Sequence, residues 1–372
     1  MRGGRPPSRE ALAALALVLL LGSLLMVRHL GATGLVDETP PLFAAAARAM
    51  AETGDWLTPR VNGLPRYDKP PLIYWLMGLG YLLPGHDSWD PLGTWAARLP
   101  SALSVLTVMA LLSATLLRWP QRPLERLGSS GLASDRALGR SLLSPAVTAP
   151  LAYALSPLVL LWGRLAVSDA LFSGLVSVSI LLAWRCLVGG GAPWMVWVML
   201  GLATLAKGPV ALVLFAGVLS LFGASQGRLL TFWRQLKPWP GLLISAAVAL
   251  PWYVLELVVE GRPYWDSFFG YHNLQRFTSV VNHHLQPWWF FGPVLVVASL
   301  PFSPLLLLGL HRALALRPWR QWLRGRWLDP VPLEHSMARL AACWLLAILA
   351  FFTLAATKLP SSGCPPRRRQ GC

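Results

Sequence analysis

Long apolar runs separated by short polar connections set the pattern of this chain. Each run has roughly the 20 residues that an α-helix needs to cross the hydrocarbon core of a bilayer. The runs lie near residues 11–28, 92–117, 143–162, 170–187, 193–206, 208–224, 241–259, 288–311 and 338–356. This pattern predicts an all-α polytopic membrane protein with about nine spans. We expect the first run to be a retained span rather than a secretory signal peptide, because eight more runs follow it.

Composition agrees with a membrane protein, since 55% of the 372 residues are hydrophobic and only 13% are charged. A net charge of +16 would suggest nucleic acid as a partner of a soluble protein, but in a membrane protein the distribution of charge matters more. We therefore expect no nucleic-acid partner and a multi-pass location in the inner (plasma) membrane.

Basic residues concentrate in three connections between apolar runs. These are Arg118, Arg122, Arg126, Arg136 and Arg140; Arg228, Arg234 and Lys237; and Arg312, Arg317, Arg320, Arg324 and Arg326. Because positively charged loops stay in the cytoplasm, we expect all three connections and the N-terminus on that side.

A different set of ionisable residues falls at or near the opposite, extracytoplasmic boundary. Ionisable groups there persist mainly where they pair with each other or with a charged ligand. The set is Asp37, Asp68, Lys69, Asp169, Lys207, His272, Arg276 and Lys358. The sequence therefore predicts one extracytoplasmic site for an anionic ligand.

The first outer loop, residues 29–91, carries the densest group of these residues. Thr39 followed by two prolines predicts a helix start, and the helix should lie along the membrane surface on one apolar face. That face comprises Leu42, Phe43, Ala46, Ala47 and Met50. Asp37 and Glu38 would lie at the positive end of the helix dipole, which suits an ionised general base and equally suits acids that only cap the helix.

Several short motifs in a fixed order resemble one enzyme family. They are DE at 37–38, TGDW at 53–56, NGLP at 62–65, DKPPLIYW at 68–75, AARLPSA at 96–102, RLAVSD at 164–169, LAKGP at 205–209 and HNLQRF at 272–277. From about residue 30 to Pro360 the chain resembles lipid-linked-sugar glycosyltransferases, the family of protein O-mannosyltransferases and lipid A aminoarabinose transferases. The resemblance implies a GT-C type transmembrane helix bundle with interfacial helices and an extracytoplasmic catalytic cavity.

The resemblance also implies a reaction. A sugar would move from a polyprenyl-phosphate donor to an extracytoplasmic lipid, glycan or protein acceptor, without a nucleotide sugar. Asp37, next to Glu38, would be the general base that takes the acceptor proton. Asp169 would shape the acceptor site or support the first acid, and a plain salt bridge is the alternative.

Basic residues would hold the donor phosphate. The resemblance assigns Lys69, Lys207 and Arg276 to this role, with Lys358 near the end of the similar region, and their charge would stabilise the leaving phosphate. For Lys207 alone, a lysine that extends to the membrane interface is the alternative.

Asp68 and His272 stand where related transferases carry a carboxylate and a histidine that can bind a divalent metal such as zinc. Two ligands fall short of a full zinc set, and a hydrogen-bonded histidine is the alternative.

The pattern changes after Pro360. We expect residues 1–360 to form the glycosyltransferase module and residues 361–372, SSGCPPRRRQGC, to be an aberrant tail from a truncation or a frameshift. Two other functions remain open at this point: a transporter or flippase of lipid-linked sugars, and an inactive remnant. The sequence leaves open which sugar and which acceptor are used.

Overall fold

The computed structural model describes residues 9–83, 94–121, 144–275, 287, 289–314 and 331–354, with only the backbone described for 272–275. Helices make up nearly all of the described secondary structure. They are α1 Arg9–Met26, α2 Thr39–Thr53, α3 Leu72–Tyr81, α4 Trp95–Arg118, α5 Pro145–Leu155, α6 Pro157–Trp162, α7 Ser168–Leu187, α8 Pro193–Lys207, α9 Val210–Ser225, α10 Leu229–Leu236, α11 Pro238–Glu260, α12 Arg262–Trp265, a π-helix Asp266–Gln275, α13 Phe291–Ala298, α14 Ser303–Leu314, a 3-10 turn Leu333–His335 and α15 Met337–Leu354.

Each of the nine predicted runs is helical where the structure describes it, but fewer than nine helices have the length of a full span. Within the described residues, α1, α4, α7, α11 and α15 are long and apolar enough to cross a membrane. The pair α13 and α14 is bent by 114° and would add a sixth span at most. By helix length alone the described residues therefore give five or six spans, four shorter apolar helices remain, and the count of about nine spans stays a prediction.

Local sequence explains why the other runs are shorter. The run at 143–162 is divided because Ser156 is extended, with ψ 130°, and Pro157 then starts α6. The runs at 193–206 and 208–224 become α8, of 15 residues, and α9, of 16 residues, because Gly208 with φ 99° ends the first helix.

The helices form two apolar clusters. The larger includes buried residues of α2, α3, α7, α8, α9 and α11. The smaller joins α1, α4 and α5. Helix α7 packs against both α4 and α8, and α8 packs against α11. Small residues let the helices pack closely. A Cβ on Gly201 of α8 would lie only 2.7 Å from the Cβ of Val248 in α11.

The first outer loop folds as α2, a short hairpin and α3. The hairpin pairs β1 Arg60–Val61 with β2 Leu64–Pro65, and Asn62 and Gly63 at its tip have φ 53° and 78°, as a tight two-residue hairpin turn requires. Helix α2 begins at Thr39, as predicted, with prolines in its first turn.

The buried face of α2 contacts α3 and agrees with the prediction at four positions. Phe43, Ala46, Ala47 and Met50 are buried. Leu42 is 39% exposed, so it lies outside the part of the apolar face that packs against α3.

The described parts of the three basic connections lie at one end of the bundle. Near Arg118, the side chain of Gln121 donates a hydrogen bond to the Glu334 carbonyl at 2.9 Å. In α10, Gln235 donates to the Cys186 carbonyl at 3.0 Å, at the end of α7. Near Arg312, Arg339 donates to the Ala313 carbonyl at 3.3 Å. The chain therefore separates a basic end from the end that carries Asp37 and Asp169.

Candidate active site

Asp169 and Lys207 form an ion pair at the end of the bundle opposite the basic connections. Asp169 lies in the first turn of α7, and Lys207 is the last residue of α8. Because α7 and α8 pack antiparallel, Asp169 and Lys207 are in contact although they are 38 residues apart in the sequence. Each charge also lies at the helix end whose dipole stabilises it.

The pair remains accessible to a ligand. The Asp169 side chain is 40% exposed and the Lys207 side chain 32% exposed. The Lys207 ammonium also lies over the Phe172 ring, with Nζ 5.5 Å from the ring centroid. This geometry holds the ammonium at a defined position rather than leaving it to extend freely to the interface.

Lys69 lies close enough to Asp169 to interact with it electrostatically. Its ammonium donates a hydrogen bond to the Asp68 carbonyl at 3.1 Å. The start of α3 follows after two prolines, and α3 packs against α8. Three of the predicted site residues, Lys69, Asp169 and Lys207, are therefore brought together, with two positive charges around one carboxylate.

Arg66 holds Asp68 beside this group, and the sequence analysis did not identify it. Its Nε and Nη2 atoms donate to the two Asp68 carboxylate oxygens at 2.7 and 2.8 Å, and its guanidinium lies 5.0 Å from the Phe43 ring centroid. Although burial favours loss of the proton, the hydrogen bonds to Asp68 leave the pKa of Arg66 raised above its ordinary value. Only the tertiary contact with α2 distinguishes Arg66 from an ordinary interfacial arginine.

Asp37 and Glu38 stand immediately before α2, where the sequence places them. Both side chains are exposed, and one Asp37 carboxylate oxygen accepts a hydrogen bond from the Glu38 backbone N–H at 2.8 Å. Asp37 has φ 81°, a left-handed conformation that an aspartate tolerates better than most residues. The predicted convergence holds for Lys69, Asp169 and Lys207. The described contacts of Asp37 do not include any of these three residues.

A second polar cluster, also missed by the sequence analysis, joins the loop to the end of α11. Glu260 accepts hydrogen bonds from Arg60 Nη2 and from the Tyr67 hydroxyl, both at 2.6 Å, and buried Glu256 accepts one from the Thr58 hydroxyl at 3.0 Å. Burial, and then the bond to Glu260, raise the pKa of Tyr67 to about 12. Two glutamates four residues apart at the end of an apolar run were the available signal.

The remaining predicted site residues cannot be placed. The His272 side chain, Arg276 and Lys358 lie outside the described residues, as does the predicted tail at 361–372. Among the residues that are described, no three histidine, cysteine or carboxylate side chains form a group able to hold a metal ion. The described side chains therefore do not make up a zinc site by themselves.

No protein-family model matches the sequence. The chain is similar to undecaprenyl phosphate-alpha-4-amino-4-deoxy-L-arabinose arabinosyl transferases. The transferase of Pseudomonas aeruginosa is 32% identical over 333 residues, which cover 87% of this chain and 52% of that protein. Transferase 1 of Pseudomonas fluorescens is 28% identical over 357 residues, covering 94% of this chain and 56% of that protein. The chain therefore spans about half the length of the curated relatives that it matches.

The fold is similar to that of a solved structure of one such enzyme. ArnT from Cupriavidus metallidurans bound to undecaprenyl phosphate superposes with a TM-score of 0.72 at 23% identity, over 93% of this chain and 56% of that chain. In the apo state the TM-score is 0.68, over 94% of this chain. These matches confirm the predicted GT-C type membrane helix bundle, and the sequence similarity confirms the resemblance that the motifs indicate.

Proposed function

We propose that this chain is the transmembrane part of a glycosyltransferase that moves a sugar from a polyprenyl-phosphate donor to an extracytoplasmic acceptor. The observation that carries the proposal is the grouping of Lys69, Asp169 and Lys207 at one end of the bundle, near the start of the loop that bears Asp37. Two ammonium groups beside one carboxylate leave a net positive site, which suits a phosphate. The names of the curated relatives favour a 4-amino-4-deoxy-L-arabinose donor.

The proposed reaction is a direct displacement at the anomeric carbon. The acceptor hydroxyl attacks this carbon, Asp37 takes the hydroxyl proton, and the bond to the phosphate oxygen breaks with its electron pair remaining on the phosphate. Lys69 and Lys207 stabilise the charge that develops there, and Arg276 and Lys358 complete the phosphate contacts. Asp169 orients Lys207 for this role. A single displacement inverts the anomeric configuration.

The proposed reaction uses no metal ion. The Asp68 carboxylate acts instead by fixing Arg66, and the two together hold the segment that presents Lys69. We expect transfer by the purified protein to be unchanged after dialysis against a zinc chelator. A loss of transfer that zinc restores would show that the reaction requires the ion.

The proposed orientation puts the N-terminus and the basic connections in the cytoplasm and the site outside, in the inner membrane of a bacterium. The three basic connections, whose described parts lie at the other end of the bundle, support this orientation because positively charged loops are retained in the cytoplasm.

Asp37→Asn tests the proposed base. The purified chain in proteoliposomes is given a polyprenyl-phosphate-linked aminoarabinose and a hydroxyl-bearing lipid acceptor, and mass spectrometry measures the glycosylated product. The amide keeps the shape but cannot take a proton, so we expect a loss of at least about 100-fold. Glu38→Gln, assayed in parallel, determines which of the adjacent acids is the base.

Glu52→Gln is the matched control, since Glu52 is an exposed acid of the same α2 that pairs with Arg48. Full transfer by Asp37→Asn would refute the assignment of the base. No transfer by the unaltered chain, under conditions in which a full-length relative is active, would refute the proposed activity of this chain.

A further inference from the structure

Two arginines from different parts of the bundle bind the backbone of the connector between α1 and α2, here residues 27–38, or the end of α1 beside it. Arg98 lies in the first turn of α4, and Arg164 lies between α6 and α7. The described partners of both guanidinium groups are backbone carbonyls and one hydroxyl, with no carboxylate among them. Arginines inside a protein usually pair with an acid. Two arginines that bind backbone carbonyls instead indicate that this backbone segment is held for a specific purpose.

Arg98 contacts the part of the connector nearest Asp37. Its side chain is almost fully buried, with 7% exposed. Nη1 donates to the Leu30 carbonyl at 2.7 Å and to the Thr33 hydroxyl at 3.0 Å, and Nη2 donates to the Gly34 carbonyl at 2.8 Å. One rigid guanidinium therefore fixes the distance between two backbone sites four residues apart.

The rest of the first turn of α4 strengthens this contact. The Thr94 hydroxyl donates to the Thr33 carbonyl at 2.9 Å. A Cβ on Gly31 would lie 3.0 Å from Trp95 Cβ, so the connector backbone packs directly on the helix. On the α1 side, Arg164 donates to the Leu25 carbonyl at 2.6 Å and to the Arg28 carbonyl at 2.9 Å.

The connector has no regular secondary structure that could fix its path. His29 and Asp37 both have left-handed φ angles, 54° and 81°, a conformation that persists where surrounding contacts impose it. The Asp37 carboxylate itself has one described hydrogen bond, from the Glu38 backbone N–H. Its position therefore depends on the backbone that leads to it. Among the described residues, Arg98 is the side chain with several hydrogen bonds to this backbone whose contacts come nearest to Asp37, at Gly34.

We propose that Arg98 is a positioning residue for Asp37, with Arg164 as a second support for the connector. This inference rests on the proposed function, in which Asp37 is the base. Proton transfer depends on sub-ångström placement, so loosening the connector lowers the rate of the chemical step while leaving the phosphate site of Lys69 and Lys207 intact. The donor KM then remains near its original value while kcat falls.

The test uses the full chain in proteoliposomes with Arg98→Lys and Arg98→Met. Lysine keeps the charge but donates from one nitrogen, and methionine keeps only the length. We expect both variants to lower kcat by about 10- to 100-fold with a donor KM within about twofold. Arg339→Lys is the matched control, because Arg339 is 3% exposed and donates to the Ala313 carbonyl at the opposite end of the bundle.

A second measurement is independent of activity. Hydrogen–deuterium exchange should become faster in peptides that cover residues 27–38 in the Arg98 variants, and remain unchanged in peptides that cover α7. The exchange result can be obtained even if the unaltered chain transfers no sugar, so failure of the proposed function and failure of this inference are distinguishable.

Three results would overturn the inference. The first is unchanged kcat in both Arg98 variants of a chain whose Asp37→Asn form is inactive. The second is a fall in kcat without faster exchange in the connector, which would mean that Arg98 acts directly on the substrate. The third is a raised donor KM with unchanged kcat.

Discussion

At the residue scale, the Asp169–Lys207 pair illustrates how helix ends create a charged site. Each helix contributes one charge at the end that its own dipole favours, and packing then joins the two charges. Since both side chains are partly exposed, the pair contributes little to stability and remains available to a phosphate. Its proposed role in phosphate binding and its modest energetic value have the same origin, namely contact with solvent.

The energetic coupling of this pair can be measured by a double-mutant cycle with Asp169→Asn and Lys207→Gln. We expect the two single substitutions to destabilise by more in total than the double variant does, with a coupling of about 0.5–1 kcal/mol because solvent screens the pair. Thermal unfolding of the purified protein in detergent gives the four values. Strict additivity would show that the two groups do not interact in the folded protein.

Arg66 makes a second prediction at this scale. Arg66→Met removes both hydrogen bonds to Asp68 and leaves that half-buried carboxylate without its strongest described partner. We expect the segment bearing Lys69 to shift and the donor KM to rise by about tenfold, because outer-shell partners orient the groups that contact a ligand.

Steady-state transfer assays provide the measurement for Arg66→Met. The control is Arg48→Met, which breaks an ion pair within α2 itself. An unchanged donor KM with Arg66→Met would show that the Arg66–Asp68 pair does not contribute to phosphate binding.

At the element scale, the α2–hairpin–α3 loop is attached to the bundle by specific polar contacts as well as by apolar packing. The indole N–H of Trp252, in α11, donates to the Leu57 carbonyl at 3.0 Å, and within the loop itself the indole N–H of Trp75 donates to the Trp56 carbonyl at 2.7 Å. The Trp252 contact and the bonds to Glu260 hold the hairpin against the end of α11. The loop is therefore a fixed wall of the site rather than a free lid.

Glu260→Gln tests this attachment. The substitution removes the charge that binds Arg60 and weakens the acceptor of the Tyr67 hydroxyl, so we expect a loss of about 1–3 kcal/mol in local stability. Limited proteolysis of the hairpin, residues 55–67, should become about ten times faster. Glu52→Gln, an exposed acid on α2, should leave the rate unchanged, and equal rates for both variants would contradict the role of Glu260.

At the scale of the whole molecule, the ionisable groups of the described site lie at the helix ends on one side of the bundle. A transporter or flippase needs such groups near the middle of the membrane, and the described grouping favours a surface reaction with a membrane-anchored donor. At the opposite end, Gln121 in the first basic connection and Trp184 in α7 donate hydrogen bonds to Glu334 and Ser336, in the segment before α15.

The orientation of the molecule can be tested with two exposed leucines of opposite ends. In a variant whose four native cysteines are serine, Leu64→Cys at the hairpin tip and Leu230→Cys in α10 replace side chains that are 72% and 70% exposed. We expect a membrane-impermeant maleimide to label the first and not the second in intact spheroplasts, and to label both after lysis. The reverse pattern would invert the proposed topology.

The sequence predicted the helical elements well because apolar periodicity and proline act locally. The start of α2 at Thr39 and most of its buried face follow from such signals. The break at Gly208 between 193–206 and 208–224 was predicted, whereas the division of the run 143–162 at Ser156 and Pro157 was not, since apolar character continues across it. The membrane location, the helical class and the separation of the basic connections from the end that carries Asp37 and Asp169 were therefore determined by the sequence alone.

The partners of the charged residues were decided by the tertiary structure. Composition and spacing do not show that Lys207 pairs with Asp169, that Arg66 rather than Lys69 binds the Asp68 carboxylate oxygens in a fork, or that Arg98 and Arg164 bind backbone carbonyls. Except for Arg66 and Asp68, which are two residues apart, these pairings join segments that meet only after the bundle has packed, and their hydrogen-bond geometry depends on that packing. A sequence records which charges are present near a membrane boundary, whereas helix packing determines which of them meet.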